Sequence, residues 1–122
     1  MLSAGFGKPD QDGITRVSNV KLTVASAQFD EQQALFVAEI VERIKLKLQE
    51  GGVEQDQLED LTASIALSIA GIIDDVAGVE VEGVEVHPYL TFRTESDELI
   101  HCGENANTYE HVYGAMRKLF PA

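Results

Sequence analysis

The single cysteine and all three histidines of this chain lie in its last third, where side-chain chemistry is therefore most expected. A catalytic thiolate needs a nearby base, an oxyanion donor and often a helix N-terminus. Cys102 precedes the predicted last helix, and His111 lies in the first turn of that helix. This arrangement is consistent with a small enzyme or ligand-binding domain built around Cys102, His111 and the 103–107 loop. A cysteine buried in the core explains the same residues more simply, because two residues at this separation often occur by chance.

The same region is a poor candidate for a metal site. Adjacent strand residues point to opposite faces, so His101 and Cys102 cannot bind one ion unless the strand ends between them. His87 would lie roughly 16 Å along the sheet from the position opposite His101, whereas zinc ligands lie about 2 Å from the metal. The sequence contains no Cys-x-x-Cys, His-x-x-x-His or His-Glu-x-x-His spacing. We therefore predict no metal site and no cofactor, and enzymatic activity ranks behind binding.

The distribution of charge favours a binding function. Nine Lys and Arg stand against 21 Asp and Glu, which gives a net charge of −12 at pH 7. No Lys or Arg occurs between Lys47 and Arg93, while that interval carries carboxylates throughout. Such a surface repels nucleic-acid phosphates and anionic lipid headgroups, so we expect no nucleic-acid and no membrane partner. It favours a basic protein or a cationic ligand, although acidity also serves simply to keep a protein dissolved.

The termini and the cysteine content indicate the compartment. One cysteine cannot form an intrachain disulfide, which fits a reducing compartment. The first nine residues contain no apolar run typical of a signal peptide. The longest mainly apolar stretch, 61–73, is too short and too polar to span a bilayer. We therefore expect a cytoplasmic protein.

The length of the chain fits one domain. Residues 1–13 are rich in Gly, Pro and Asp and predict a flexible tail, so that 14–122 forms a single domain. Apolar and polar residues alternate over 16–24, which predicts a half-buried strand. Asp30 and Gln33 have the spacing of a capping box and therefore predict the start of the first helix.

The second helix is predicted from Asp56 to Ala77 and follows the first across Gly51-Gly52, so the two should form an antiparallel hairpin. Beside its main apolar stripe runs a second row of mostly small residues. That row consists of Ala63, Ala66, Leu67 and Ala70. An apolar arc this broad predicts burial on two sides, either under the sheet and first helix or against another subunit. The row could face its counterpart across a two-fold axis in a homo-oligomer.

After the second helix the apolar period changes to two, which indicates strands. The phase shifts at 82–83, so this pair is either a tight hairpin turn or a β-bulge. Pro88 cannot donate to a ladder and places its strand at an edge or a bulge. A turn at 95–97 leads to a short strand at 98–102, and Asn107 then caps the last helix.

The resulting order, β-α-α-β-(β)-β-α, predicts a two-layer α+β domain. An antiparallel sheet of three to four strands would carry the helix hairpin and the C-terminal helix on one face. The function we expect is a non-catalytic, acidic binding or assembly protein, such as an inhibitor, immunity factor or chaperone, for a basic or apolar partner surface. The candidate interface comprises Ala63, Ala66, Leu67, Ala70, Asp74, Asp75, Glu80, Glu82 and Glu85.

Overall fold

A computed structural model describes residues 20–122 of the chain. The predicted tail, 1–13, and residues 14–19 with the first part of the predicted strand lie outside the described residues. Within 20–122 the chain forms three helices and five short strands, which confirms the α+β class. In chain order they are β1 (Lys21–Val24), α1 (Ser26–Glu50), α2 (Gln55–Ile73), β2 (Val79–Val81), β3 (Val84–Val86), β4 (Phe92–Arg93), β5 (Glu98–His101) and α3 (Thr108–Leu119).

The strands form two small sheets within the described chain instead of one antiparallel sheet. The larger has the order β1-β5-β4, in which β5 pairs antiparallel with β4. β1 pairs with β5 in parallel, with Lys21 opposite Glu98 and Val24 opposite His101. A parallel pair needs a long crossover connection, and the helices between β1 and β5 provide it. β2 and β3 form a separate hairpin, and Pro88, which has no N–H for a ladder, follows it.

The 82–83 turn joins β2 to β3 as a tight hairpin and not as a bulge. Val81 pairs with Val84, which leaves a loop of two residues. Both loop residues have positive φ, 51° at Glu82 and 82° at Gly83. This combination defines the type I′ turn, whose twist matches that of the paired strands.

The three helices pack around one apolar core. Its buried residues are Val37, Val41, Ala66, Ala70, Val112, Ala115 and Met116. The prediction that the small-residue row of α2 forms a subunit interface is wrong for Ala66 and Ala70, because both are buried in this core. Ala63 and Leu67 are half-buried and pack against the same core. Small side chains on this face let α1 and α3 approach α2 closely.

The sheet covers the N-terminal half of α1. Phe29, Ile100 and Ala106 form a second buried cluster there. The Phe92 ring lies with its centroid 5.2 Å from that of Phe29 and 5.5 Å from that of Phe36. These aromatic contacts fasten β4 to α1. Among residues 20–122, no helix combines the length and the apolar character that crossing a membrane requires.

The predicted helix boundaries need correction at two places. α1 begins at Ser26, so Asp30 lies inside the helix and does not cap it, and Gln33 is buried. α2 ends at Ile73, four residues before the predicted end. The chain leaves the helix there because Asp75 adopts a left-handed conformation with φ of 61°, which a right-handed helix cannot contain.

Candidate functional site

The β2–β3 hairpin presents one apolar and one acidic face. Val79 opposite Val86 and Val81 opposite Val84 lie on one face, because side chains alternate along a strand. The face is open: Val81 and Val84 are 61% and 62% exposed, and Val86 is 46% exposed. Apolar side chains clustered at the surface mark a candidate interaction site.

The opposite face of the hairpin is acidic. Glu80 lies directly across from Glu85, and both are exposed. Like charges placed opposite one another on neighbouring strands destabilise the pairing. Glu82 adds a third exposed carboxylate at the turn. These three predicted interface residues are therefore accessible to a cationic partner.

His87 and Asp75 hold the base of the hairpin. The Nδ1 atom of His87 lies 3.0 Å from Oδ2 of Asp75, just beyond the end of α2. Its Nε2 atom lies 3.4 Å from Oε1 of Glu85. The imidazole thus sits between two carboxylates and links the hairpin to the end of α2. Asp75, a predicted interface residue, orients the hairpin through this contact, with its own side chain 18% exposed.

Asp74 is buried and caps α3, so its side chain is not available at the predicted interface. It is only 3% exposed, and its carboxylate accepts hydrogen bonds from the N–H of Thr108 at 2.9 Å and of Tyr109 at 3.3 Å. The first N–H groups of a helix have no partner within the helix, and a carboxylate there also interacts favourably with the helix dipole. Within the described chain, the side chain of Asn107 makes no capping bond, so Asp74 replaces the predicted cap of α3.

Gln33 extends this buried polar junction to α1. Its Nε2 atom donates to Oγ1 of Thr108 at 3.1 Å, and both residues are 2% exposed. Because Thr108 also bonds Asp74, the end of α2 and the start of α3 are tied to α1 by side-chain hydrogen bonds. The junction fixes the end of α2, from which residues 75–78 lead into the hairpin.

A second apolar surface lies on the outer side of α2. Leu61, Ile65 and Ile72, and Val76 just beyond the helix, are exposed although their spacing predicts the main buried stripe, of which Leu58 is buried. The sheet packs only on the first half of α1 and does not cover this side of α2. The small-residue row of α2 is the side that packs against α1 and α3. A groove of about 300 Å³ between α1 and α2 is lined by Ile44, Leu48 and Ile65, among others. Self-association through the buried Ala66 and Ala70 would require α2 to leave the core, whereas this exposed surface is accessible as it stands.

Cys102 and His111 line the same pocket, of about 340 Å³, near the N-terminal ends of α1 and α3. Nε2 of His111 lies 3.1 Å from Oδ1 of Asp30. Sγ of Cys102 donates to the backbone oxygen of Glu104 at 3.1 Å. Within the described chain no hydrogen bond joins Cys102 to His111, so the structure brings the two candidates into one pocket without pairing them.

Cys102 also has the surroundings of a core residue. It is half-buried and packs against Phe29, Ile100 and Ala106. Sequence reasoning missed Asp30 as the partner of His111 because the two are 81 residues apart and Asp30 resembled a helix cap. No local pattern would have revealed this pair.

His101 makes separate contacts from the other two histidines. Its Nδ1 atom accepts from the N–H of Gly103 at 3.2 Å and lies 2.8 Å from the Tyr89 hydroxyl. A backbone N–H can only donate, so Nδ1 is an acceptor and the ring proton lies on Nε2. Across residues 20–122, no group of three or more His, Cys, Asp or Glu is arranged to hold a metal ion.

Known proteins offer no relative from which a function could be transferred to this chain. No protein-family model, curated protein or solved structure matches the chain. The function must therefore be argued from the exposed hairpin and the Cys102 pocket themselves.

Proposed function

We propose that this protein is a non-catalytic binding or assembly protein that docks a basic protein partner on its β2–β3 hairpin. The proposed class covers inhibitors, immunity factors and chaperone-like proteins. One observation carries the proposal: the hairpin exposes Val81, Val84 and Val86 within an interval that has carboxylates but no Lys or Arg. Exposed apolar residues would hold the complex, and the charge would steer the encounter.

The available energy suggests a salt-sensitive complex. Burying a fully exposed valine stabilises by about 1.5–3 kcal/mol, so the exposed parts of three valines would contribute about 3 kcal/mol. A micromolar complex requires about 8 kcal/mol. Favourable charge contacts to Glu80, Glu82 and Glu85 must therefore support the apolar contact, and added salt would weaken them.

The proposal puts the encounter in the cytoplasm, because a single cysteine suits a reducing compartment. It favours a basic partner over a second copy of the chain. Two molecules that each carry a net charge of −12 repel one another before apolar contacts can form.

Affinity isolation from a lysate of the source cell, at low and high salt, tests the proposal. The immobilised wild type should retain one or a few basic proteins that high salt releases. A variant with Val81→Ser and Val84→Ser should lose them, whereas Leu35→Ser, an exposed apolar site on α1, should retain them. Recovery of the same proteins by the hairpin variant would show that the hairpin is not the binding surface.

A second function, a small thiol enzyme or ligand-binding domain, is favoured by the contact between Asp30 and His111 in the pocket of Cys102. Asp30 would orient the imidazole. A change of the Cys102 rotamer would move Sγ from Glu104 towards His111, which would accept the thiol proton and leave a thiolate nucleophile.

The rate at which iodoacetamide alkylates Cys102 at neutral pH tests this second function. A catalytic thiol should react at least as fast as free cysteine, and His111→Gln should slow it strongly. A structural cysteine should react slowly, and neither His111→Gln nor Asp30→Asn should change its rate. The second pattern would exclude the thiol enzyme and leave the binding function intact.

A further inference from the structure

We infer that the basic partner adds an extended segment to the β2–β3 hairpin as a third strand, and that this segment alternates basic and apolar residues. The inference rests on the proposed function and specifies how the partner is recognised. It follows from the edges, the two faces and the charges of the hairpin.

The hairpin has open edges. Within the described residues, β2 and β3 pair only with each other, so neither has a further strand on its outer side. Ladder hydrogen bonds alternate along antiparallel strands, and the pair that closes a two-residue turn, here Val81 and Val84, is a bonded one. The N–H and C=O of Glu80 and Glu85 therefore point outward. Such edges bind extended segments through main-chain hydrogen bonds.

The two faces select the sequence of the added strand. Side chains of a third strand would continue both faces at once, because they alternate in the same way. One set would lie beside the valine face and should be apolar. The other set would lie beside Glu80 or Glu85 and should be Lys or Arg. A cation there also relieves the repulsion between these two opposed carboxylates.

The charges exclude the simplest alternative occupant. A hairpin strand of a second copy would place its own glutamate beside Glu80 or Glu85 and increase the repulsion. A partner lying flat on the valine face would leave the acidic face unused. An added strand that alternates basic and apolar residues would bond the open edge, pack against the valine face and pair with the glutamates at the same time.

The stability of the hairpin fits the same interpretation. Each strand has three residues, and an isolated two-stranded hairpin of this size is marginal in water. A third strand would supply the neighbour that small sheets require. We therefore expect hydrogen exchange of the β2 and β3 amides to slow when the segment binds.

Synthetic peptides provide the probe. A labelled seven-residue peptide that alternates lysine and valine is titrated with the wild-type protein at low salt, and its fluorescence anisotropy is followed. The control peptide has the same composition in two blocks, four lysines followed by three valines. We expect the alternating peptide to bind about tenfold more tightly, because only the alternating order places lysines beside the glutamates and valines beside the valine face in the same strand. Methylation of its backbone nitrogens should remove this advantage.

Protein variants locate the contact. The double variant Glu80→Lys, Glu85→Lys should lose binding of the alternating peptide. Glu54→Lys with Asp56→Lys changes the net charge equally at exposed positions at the start of α2 and should retain most of the binding. Amide chemical shifts of the wild type report the site without any variant, and they should change in β2 and β3.

The outcomes separate the inference from the proposed function. If the block peptide or the N-methylated peptide binds as tightly as the alternating one, charge alone is recognised, and strand addition is wrong while the proposed function stands. If no basic peptide binds, strand addition is wrong, while the proposed function is still decided by the affinity isolation with the hairpin variant. If a peptide alternating glutamate and valine binds equally well, the proposed function is contradicted as well. Shift changes confined to other elements would also overturn strand addition.

Discussion

Replacing Asp74 with alanine should destabilise the whole domain, because this residue caps a helix that is distant in sequence. Its carboxylate accepts from the N–H of Thr108 at 2.9 Å and of Tyr109 at 3.3 Å. Asp74→Ala would leave both donors in a buried environment without this acceptor. It would also remove the negative charge from the N-terminus of α3.

The expected loss is about 3 kcal/mol. Removing an N-cap costs about 0.5–2 kcal/mol, and a hydrogen bond to a charged group contributes about 1.5–3 kcal/mol. The bond to Tyr109 is long, so it adds little to the bond to Thr108. Asp74→Asn keeps one acceptor and loses the charge, and should cost about 1 kcal/mol.

Urea unfolding followed by far-UV circular dichroism measures these differences. A loss of about 3 kcal/mol would lower the melting temperature by roughly 12 °C or more in a domain of this size. Asp60→Ala is the matched control, because Asp60 is an exposed acid on α2, the helix that Asp74 follows, and should change stability by less than about 0.5 kcal/mol. If Asp74→Ala costs no more than Asp60→Ala, the capping role is wrong.

Three further predictions concern a buried hydroxyl and two glycines. The Thr62 hydroxyl is fully buried and has no hydrogen-bond partner among residues 20–122, so Thr62→Val should raise the free energy of unfolding by about 1 kcal/mol. Thr62→Ser, which keeps the hydroxyl and loses a methyl, should lower it by a similar amount, about 0.8 kcal/mol; equal effects of the two would contradict the reasoning. Gly83→Ala places a Cβ at φ of 82° and should speed hydrogen exchange in β2 and β3 about fivefold, for a cost of about 1 kcal/mol. Gly114→Ala, inside α3 with room for the methyl, should instead stabilise the protein by about 1 kcal/mol, and a loss of stability there would be inconsistent with the helix.

The helices could be predicted from the sequence, because the spacing of apolar residues along a helix is a local property. The residues at which the helices begin and end were predicted less well. Asp30 and Gln33 have the spacing of a capping box, yet their side chains bond residues of α3 that lie 81 and 75 positions away. A capping pattern and a long-range contact can use the same residue types, and only the packed structure distinguishes them.

The packing partners of α2 and β1 also could not be predicted, because they depend on contacts between residues distant in sequence. Periodicity identifies two apolar arcs on α2 but does not say which one meets α1 and α3. The arc containing Ala66 and Ala70 faces inward because α1 and α3 both pack on it, and Leu61, Ile65 and Ile72 of the other arc are left exposed. Alternation likewise predicts the strand at β1, but not that β5 is its parallel neighbour.

The two candidate sites differ in how far the sequence determines them. The pocket of Cys102 depends on α1, α3 and the loop after β5, so its contacts could not be predicted residue by residue. The hairpin is different: the sequence left a turn and a bulge open at 82–83, but once the two-residue turn forms, strict alternation fixes the faces locally. Valines face one way and Glu80 with Glu85 the other, whatever the rest of the chain does. A partner that recognises this pattern binds a feature formed by eight consecutive residues, 79–86. The contact between Asp75 and His87 then fixes the orientation of the hairpin relative to α2.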